Sequence, residues 1–330
     1  MEISRFAIVG LGSIGRRHLR ILKEMRPEIE VTLIRSGSGQ NWPEEKLAKN
    51  TVHSIDEAVG EGIQAAIISS PAPLHLLQAV ELANAGVHLL IEKPLSHTIE
   101  GINKFLNKLL TKGITVLIGY ALRYDPCAKK FKEILESGRI GQFLHANVEC
   151  GSYLPDWRHA QDYRKTVSAL PELGGGVLLE LSHELDYIQW FFGKIKSVQA
   201  NLYNSGFLGI EVEESADLIM TNEDSMPVSV QLDFNRRQST RRCTVHSTEG
   251  ELTWNAISKQ VIWHLAGGEP EVESFDFDRD HIYLKQLQHF LDCIENEASP
   301  LVTLQDGVAV LRLVEAARQA NKTGQRVALV

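Results

Sequence analysis

Gly10-Leu11-Gly12-Ser13-Ile14-Gly15 follows the run Arg5–Val9 directly and opens a segment, residues 15–25, with the apolar periodicity of a helix. A strand, a glycine turn and a helix in that order make the opening unit of a parallel sheet that holds a dinucleotide. The first glycine permits the tight turn, the second lets the backbone approach a pyrophosphate, and the third lets helix pack on strand. The amides of Ser13 and Ile14, at the helix N-terminus, are placed to receive phosphate charge.

Outward from this motif the alternation continues. Strands are predicted at residues 30–35, 65–69, 88–91 and 115–118, with amphipathic segments at 55–59, 73–85 and 99–112 between them. After Tyr120 the period changes. Residues 125–136 still read as a helix, but 143–149, 196–202, 216–221, 228–234 and 242–246 alternate with the period of an antiparallel sheet covered on one face. Helices are expected at 177–192 and 306–320. The expected fold class is α/β, an N-terminal Rossmann dinucleotide-binding domain over residues 1–121, followed by an α+β substrate-binding and oligomerisation domain over 122–330 with a mostly antiparallel open sheet.

Composition fits this division. A chain of 330 residues suits two domains, and 43% apolar with 23% charged residues is ordinary for a globular protein. No apolar run is long enough for a bilayer, and the approach from Met1 to Phe6 leaves no room for a secretory leader, so a cytoplasmic protein starting at Met1 is expected. A formal net charge of −8 without a basic run argues against a nucleic-acid surface. Cys127, Cys150, Cys243 and Cys293 lack metal-ligand spacing, so free buried thiols and no metal are expected.

Where the second strand ends, an NAD-binding domain usually places an acid for the ribose hydroxyls. This chain has Arg35 and Ser36 there. A guanidinium beside a hydroxyl suits the 2′-phosphate of NADP, the alternatives being NAD and an arginine that is merely solvated.

Glu92-Lys93-Pro94 stands at the end of the strand 88–91, on the edge where open α/β sheets bind ligands. With the glycine motif, Ser70-Pro71 and His75, Gly119-Tyr120 with Arg123 and Pro126, and Gly174-Gly175-Gly176 before His183 and Asp186, the chain resembles the glucose-fructose oxidoreductase, inositol dehydrogenase and MocA family. The resemblance runs nearly end to end. It implies that Ser70, Pro71, His75, Glu92 and Lys93 border a nicotinamide cofactor, NADP or NAD, that Lys93 and His183 are catalytic, and that Tyr120, Arg123 and Asp186 lie toward substrate. Oxidising an alcohol requires removing its hydroxyl proton as hydride leaves, work that suits imidazole, while an ammonium stabilises the developing alkoxide. His183 also admits a second reading, a satisfied histidine with no chemical role.

Many members of the family carry an aspartate four residues before the histidine. Here Glu180 precedes His183 by three, a spacing that on one helix leaves both on one face. Glu180 is therefore a candidate to orient His183, with Asp186 as the alternative.

The segment holding Tyr153, Trp157, Arg158, Tyr163 and Arg164 mixes aromatic and basic residues without periodicity. It reads either as a loop for an anionic sugar or as an ordinary packed loop. The resemblance implies a dehydrogenase or reductase for a sugar, sugar acid, cyclitol or nucleotide sugar, working as a homodimer or homotetramer. A non-catalytic dinucleotide-sensing regulator and a reductase of a non-sugar ligand share the same cofactor motif.

Overall fold

The structure is a computed structural model that describes residues 2–37, 39–157 and 161–329. Arg158, one of the substrate-binding candidates, lies outside the described residues. The chain forms two compact units, Met1–Tyr124 with Asp278–Val308, and Asp125–Phe277 with Ala309–Val330. The contiguous division expected at 121/122 thus lacks the return of 278–308 to the first unit, a long-range association that local periodicity does not encode.

In the first unit the elements run β1 (Arg5–Val9), α1 (Ser13–Met25), β2 (Glu30–Ile34), β3 (Asn50–Val52), α2 (Ile55–Gly60), β4 (Ala65–Ile68), α3 (Ala72–Asn84), β5 (His88–Ile91), α4 (Ile102–Leu110) and β6 (Val116–Ile118). The six strands are parallel in the order β3-β2-β1-β4-β5-β6. Phe6, Ile8, Ile67, Leu89 and Leu90 are fully buried, as strands covered on both faces require. Strand order reverses between β1 and β4, so the loops after these two strands flank the crevice where such sheets take ligands. The short polar strand β3 was not expected from the sequence.

The second unit contains α5 (Pro126–Glu136), β7 (Phe143–Gly151), α6 (Val177–Glu180), α7 (Ser182–Phe192), β8 (Ile195–Tyr203), β9 (Ser215–Asn222), β10 (Pro227–Asp233), β11 (Thr240–Ser247), β12 (Gly250–Asn255), β13 (Gln260–Leu265) and β14 (Glu271–Ser274). The chain continues through α8 (Arg279–Glu295), α9 (Leu304–Thr323) and β15 (Val327–Ala328). Among the described residues the second sheet has nine strands, ordered β14-β13-β12-β11-β7-β10-β9-β8-β15. All neighbours are antiparallel except β7 and β10. Burial alternates along β9 and β10, one face packed and the other exposed. The fold is a Rossmann domain followed by an α+β domain with a mostly antiparallel sheet. No helix among the described residues is long and apolar enough to cross a membrane.

Candidate active site

The glycine turn has the geometry its reading requires. Gly10 has φ +84°, and a Cβ there would lie 3.0 Å from the Ser70 amide nitrogen. A Cβ on Gly15 would lie 2.3 Å from the Gly10 carbonyl oxygen, whereas one on Gly12 meets nothing within 4 Å. Gly15 therefore serves packing and Gly12 faces open space. Gly12 is also the N-cap of α1 and contributes no side-chain cap, so the helix start keeps donor groups for an anion. Ser69 braces the turn by donating to the Val9 and Gly10 carbonyls, 2.9 Å each. Open space above Gly12 and an uncapped helix start fit a dinucleotide pyrophosphate.

At the end of β2 the Arg35 guanidinium is neither solvated nor free. Nη1 lies 2.6 Å from Glu45 Oε1, and Nη2 donates to the Gln40 carbonyl. Glu45 sits in a 3-10 turn, Pro43–Leu47, and nothing in its spacing pointed to this pairing.

Past β4, Ser70 donates to Gln78 Oε1 at 2.6 Å, and Pro71 stands at the N-cap position of α3 without a side-chain bond to it. His75 is buried with Nε2 2.8 Å from the Ser70 carbonyl and Nδ1 2.9 Å from that of Pro94. Burial pushes its pKa down, and the two carbonyls work the other way, since only one of them can accept from a neutral ring. His75 thus ties the loops after β4 and β5 together.

Lys93 stands half-buried beyond β5, and its peptide bond to Pro94 is cis. Its backbone N–H donates to Glu92 Oε2 at 3.2 Å, while Glu92 Oε1 lies 2.7 Å from Nε2 of the buried His18 on α1. A Cβ on Gly119 would come within 2.9 Å of the Glu92 Cα and 3.0 Å of the Lys93 nitrogen, which accounts for glycine in Gly119-Tyr120. Tyr120 is fully buried. Arg123 is buried too, with Nη2 3.0 Å from Asp306 Oδ1 and Nη1 donating to the Leu301 carbonyl at 3.2 Å. Arg123 fastens the returning segment to the first unit, a role that needs no ligand.

In the second unit, Gly174 and Gly176 have φ +81° and +106°, and Glu213 Oε1 caps the Leu178 amide at 3.2 Å. His183 stands half-buried in the first turn of α7. The single helix expected over 177–192 is broken: Leu181, at φ −97° and ψ 27°, separates α6 from α7. Glu180 and His183, expected on one helical face, thus stand on two successive helices, and Glu180 Oε1 accepts from Ser168 Oγ at 3.0 Å. Asp186 is buried on α7. Glu184, beside His183, is fully buried and its Oε1 takes the Arg241 Nε at 2.6 Å, pinning α7 to β11. Neither Glu184 nor Arg241 carried a sequence signal, because the pairing joins a helix to a strand 57 residues away.

The aromatic and basic loop is largely engaged with its own unit. Tyr153 lies under the Arg237 guanidinium at 3.5 Å, and Trp157 donates to Ser152 Oγ at 2.8 Å and meets Phe234 edge-on. Tyr163 donates to the Leu208 carbonyl at 2.8 Å. Arg164 is exposed and grips Asp162 through Nε and Nη2 at 2.9 and 3.0 Å. All four cysteines are free and buried. Among the described residues no cluster of three or more His, Cys, Asp or Glu is arranged to hold a metal ion.

Comparison with known proteins agrees with this geometry. Residues 4–120 match the oxidoreductase family's NAD-binding Rossmann fold, and residues 132–329 match that family's C-terminal alpha/beta domain. The chain is 26% identical over 330 residues to a 1,5-anhydro-D-fructose reductase of Ensifer adhaerens, covering 98% of each chain. It is 23% identical over 342 residues to a scyllo-inositol 2-dehydrogenase (NAD(+)) of Bacillus subtilis (strain 168), covering 98% of this chain and 96% of the relative. A levoglucosan dehydrogenase in complex with NADH and levoglucosan shares the fold at a TM-score of 0.86, with 17% identity over 98% of both chains. With a glycine cradle that fits a nicotinamide dinucleotide and both domain models matched, this chain belongs to the glucose-fructose oxidoreductase, inositol dehydrogenase and MocA family of NAD(P)-dependent oxidoreductases.

Proposed function

We propose that this chain moves a hydride between a nicotinamide dinucleotide and a hydroxyl-bearing carbon of a sugar, sugar acid, cyclitol or nucleotide sugar. When bound, the dinucleotide supplies the hydride acceptor or donor. The observation that carries the reading is Lys93: it stands at the C-terminal end of a parallel strand, in the unit that holds the glycine cradle, with its backbone fixed by Glu92 and by the close approach of Gly119. An ammonium in that position stabilises a developing alkoxide and orients the substrate hydroxyl. The His183 imidazole takes the hydroxyl proton in oxidation and returns it in reduction. The C–H electron pair leaves as hydride, the O–H proton goes to imidazole, and the carbon becomes a carbonyl.

Relatives named for an anhydro sugar and an inositol support a polyol-like substrate. Arg35 and Ser36 offer a guanidinium and a hydroxyl to the 2′-phosphate of NADP, and Glu45, which holds Arg35, opposes it. A panel of sugars, sugar acids, inositols and nucleotide sugars, followed by the absorbance of reduced nicotinamide with NAD or NADP, tests the whole reading. Turnover of at least one polyol class is expected. Tight cofactor binding with no turnover across the panel points instead to a dinucleotide sensor.

A further inference from the structure

The turn after β2 sets two carboxylates against two arginines within the first unit. Glu45 Oε1 receives Arg35 Nη1 at 2.6 Å and the Trp42 backbone N–H at 2.6 Å. Arg16, from the first turn of α1, lies over the Trp42 ring with its guanidinium carbon 3.8 Å from the centroid, and its Nη1 is 3.3 Å from Glu44 Oε1. These groups are well enclosed: the side chain of Arg35 is 11% exposed and that of Glu45 is 24% exposed. Arg16 Nε and Glu44 Oε2 are buried without a hydrogen-bond partner. His53 completes the surroundings, with Nδ1 3.0 Å from the Arg35 carbonyl.

We infer that Glu45 determines cofactor specificity by neutralising Arg35. A 2′-phosphate needs an unengaged guanidinium, because its attraction is charge-assisted and bidentate. Here two of the three guanidinium nitrogens are already used, on Glu45 and on the Gln40 carbonyl. A phosphate seated at Arg35 also meets the Glu45 carboxylate, a like charge, and specificity is lowered as much by such repulsion as by lost attraction. The ribose hydroxyls of NAD carry no charge and meet no such penalty. Arg35 by itself suits NADP, and Glu45 holds that preference down. The inference rests on the proposal that the cradle of this unit receives a nicotinamide dinucleotide.

Glu45→Gln is the decisive variant. Glutamine keeps the length of the side chain, and its amide oxygen still accepts from the Trp42 N–H, as glutamine does at the third position of a capping box. Calorimetric titration of the full chain with NADPH, NADH, adenosine 2′,5′-bisphosphate and adenosine 5′-diphosphate reads binding without turnover. The ratio of NADPH to NADH affinity is expected to rise tenfold or more in Glu45→Gln, with the same rise for the bisphosphate over the diphosphate. The gain is expected to vanish in Arg35→Ala/Glu45→Gln. An unchanged ratio with NADH still bound, or a gain that survives loss of Arg35, overturns the role of Glu45 and leaves the cofactor reading standing. Failure of the unmutated protein to bind either dinucleotide removes the cofactor reading, and this inference with it.

Discussion

His18 Nε2 lies 2.7 Å from Glu92 Oε1, and both side chains are buried. The contact joins the helix that follows the glycine turn to the residue before Lys93. Tyr283 packs edge-on against the same imidazole, with ring centroids 5.8 Å apart. Replacing His18 by leucine keeps the bulk but leaves a buried carboxylate without its partner, a change that costs on the order of 3 kcal/mol. The expected outcome is a clearly lowered melting temperature together with a reduced kcat, since Glu92 also holds the Lys93 amide. His18→Gln, which restores a donor, is expected to recover part of both. Melting curves and steady-state rates on the three proteins check this, and a His18→Leu protein as stable as the parent removes the structural role.

Lys93 and His183 belong to different units, so each is best judged by its own variant. Lys93→Met and His183→Asn are expected to lower kcat by about a hundredfold or more, the scale of a lost proton-transfer or alkoxide-stabilising group, with little change in cofactor affinity. Rates are measured on whichever polyol the panel identifies, and affinity by titration of the reduced nucleotide. Full turnover in either variant removes that residue from the chemistry.

These assignments show how unevenly the sequence speaks. The strand, turn and helix around Gly10 to Gly15 were readable because each requirement is local: a turn, an approach and a close packing within six residues. The same holds for β5 and the Glu92-Lys93-Pro94 that ends it. Partners distant in the chain were not readable. Arg35 looked like a phosphate ligand, yet Glu45 claims it through a turn whose path the sequence does not announce. Arg123 looked like a substrate group but is held by Asp306, 183 residues later. The break at Leu181 has no glycine or proline to mark it, so the expected helix ran straight through. By contrast α8 had a usable signal, the Asp278 N-cap followed by Ile282, Leu287, Phe290, Leu291 and Ile294 at helical spacing, and sequence reasoning passed over it.

The buried thiols give a pH dependence with a definite sign. Burial pushes Cys150 up to about 12, and burial with the nearby Asp125 charge does the same for Cys127. An unfolded thiol ionises near 8.5, so above that pH the unfolded chain binds fewer protons than the folded one, and stability falls as pH rises. For Cys150 the loss is about 1.4 kcal/mol per pH unit between roughly pH 9 and its raised folded value. In the folded protein, alkylation by iodoacetamide is expected to stay slow at pH 8 and to become rapid only with unfolding. Stoichiometric labelling of the native protein at pH 8 contradicts the burial of these groups.

Gly12 and Gly15 separate binding from folding by a single methyl group each. At Gly15 an added Cβ falls 2.3 Å from the Gly10 oxygen and 2.7 Å from Ser69 Oγ, so α1 and the turn have to part. Gly15→Ala is expected to lower the melting temperature by several degrees, overpacking of this kind costing about 1–3 kcal/mol. At Gly12 the added methyl meets nothing within 4 Å, and φ is −72°, a conformation alanine adopts freely. Gly12→Ala is thus expected to melt with the parent. Its methyl instead projects into the space above the helix start, where a pyrophosphate has to come close to the backbone. Affinity for NADH and NADPH is then expected to fall tenfold or more, and to fall alike for both, because the pyrophosphate is common to the two. Melting curves with and without nucleotide, alongside calorimetric titration, separate the two glycines. A Gly12→Ala protein that binds both nucleotides as tightly as the parent means that the phosphates do not pass over this turn.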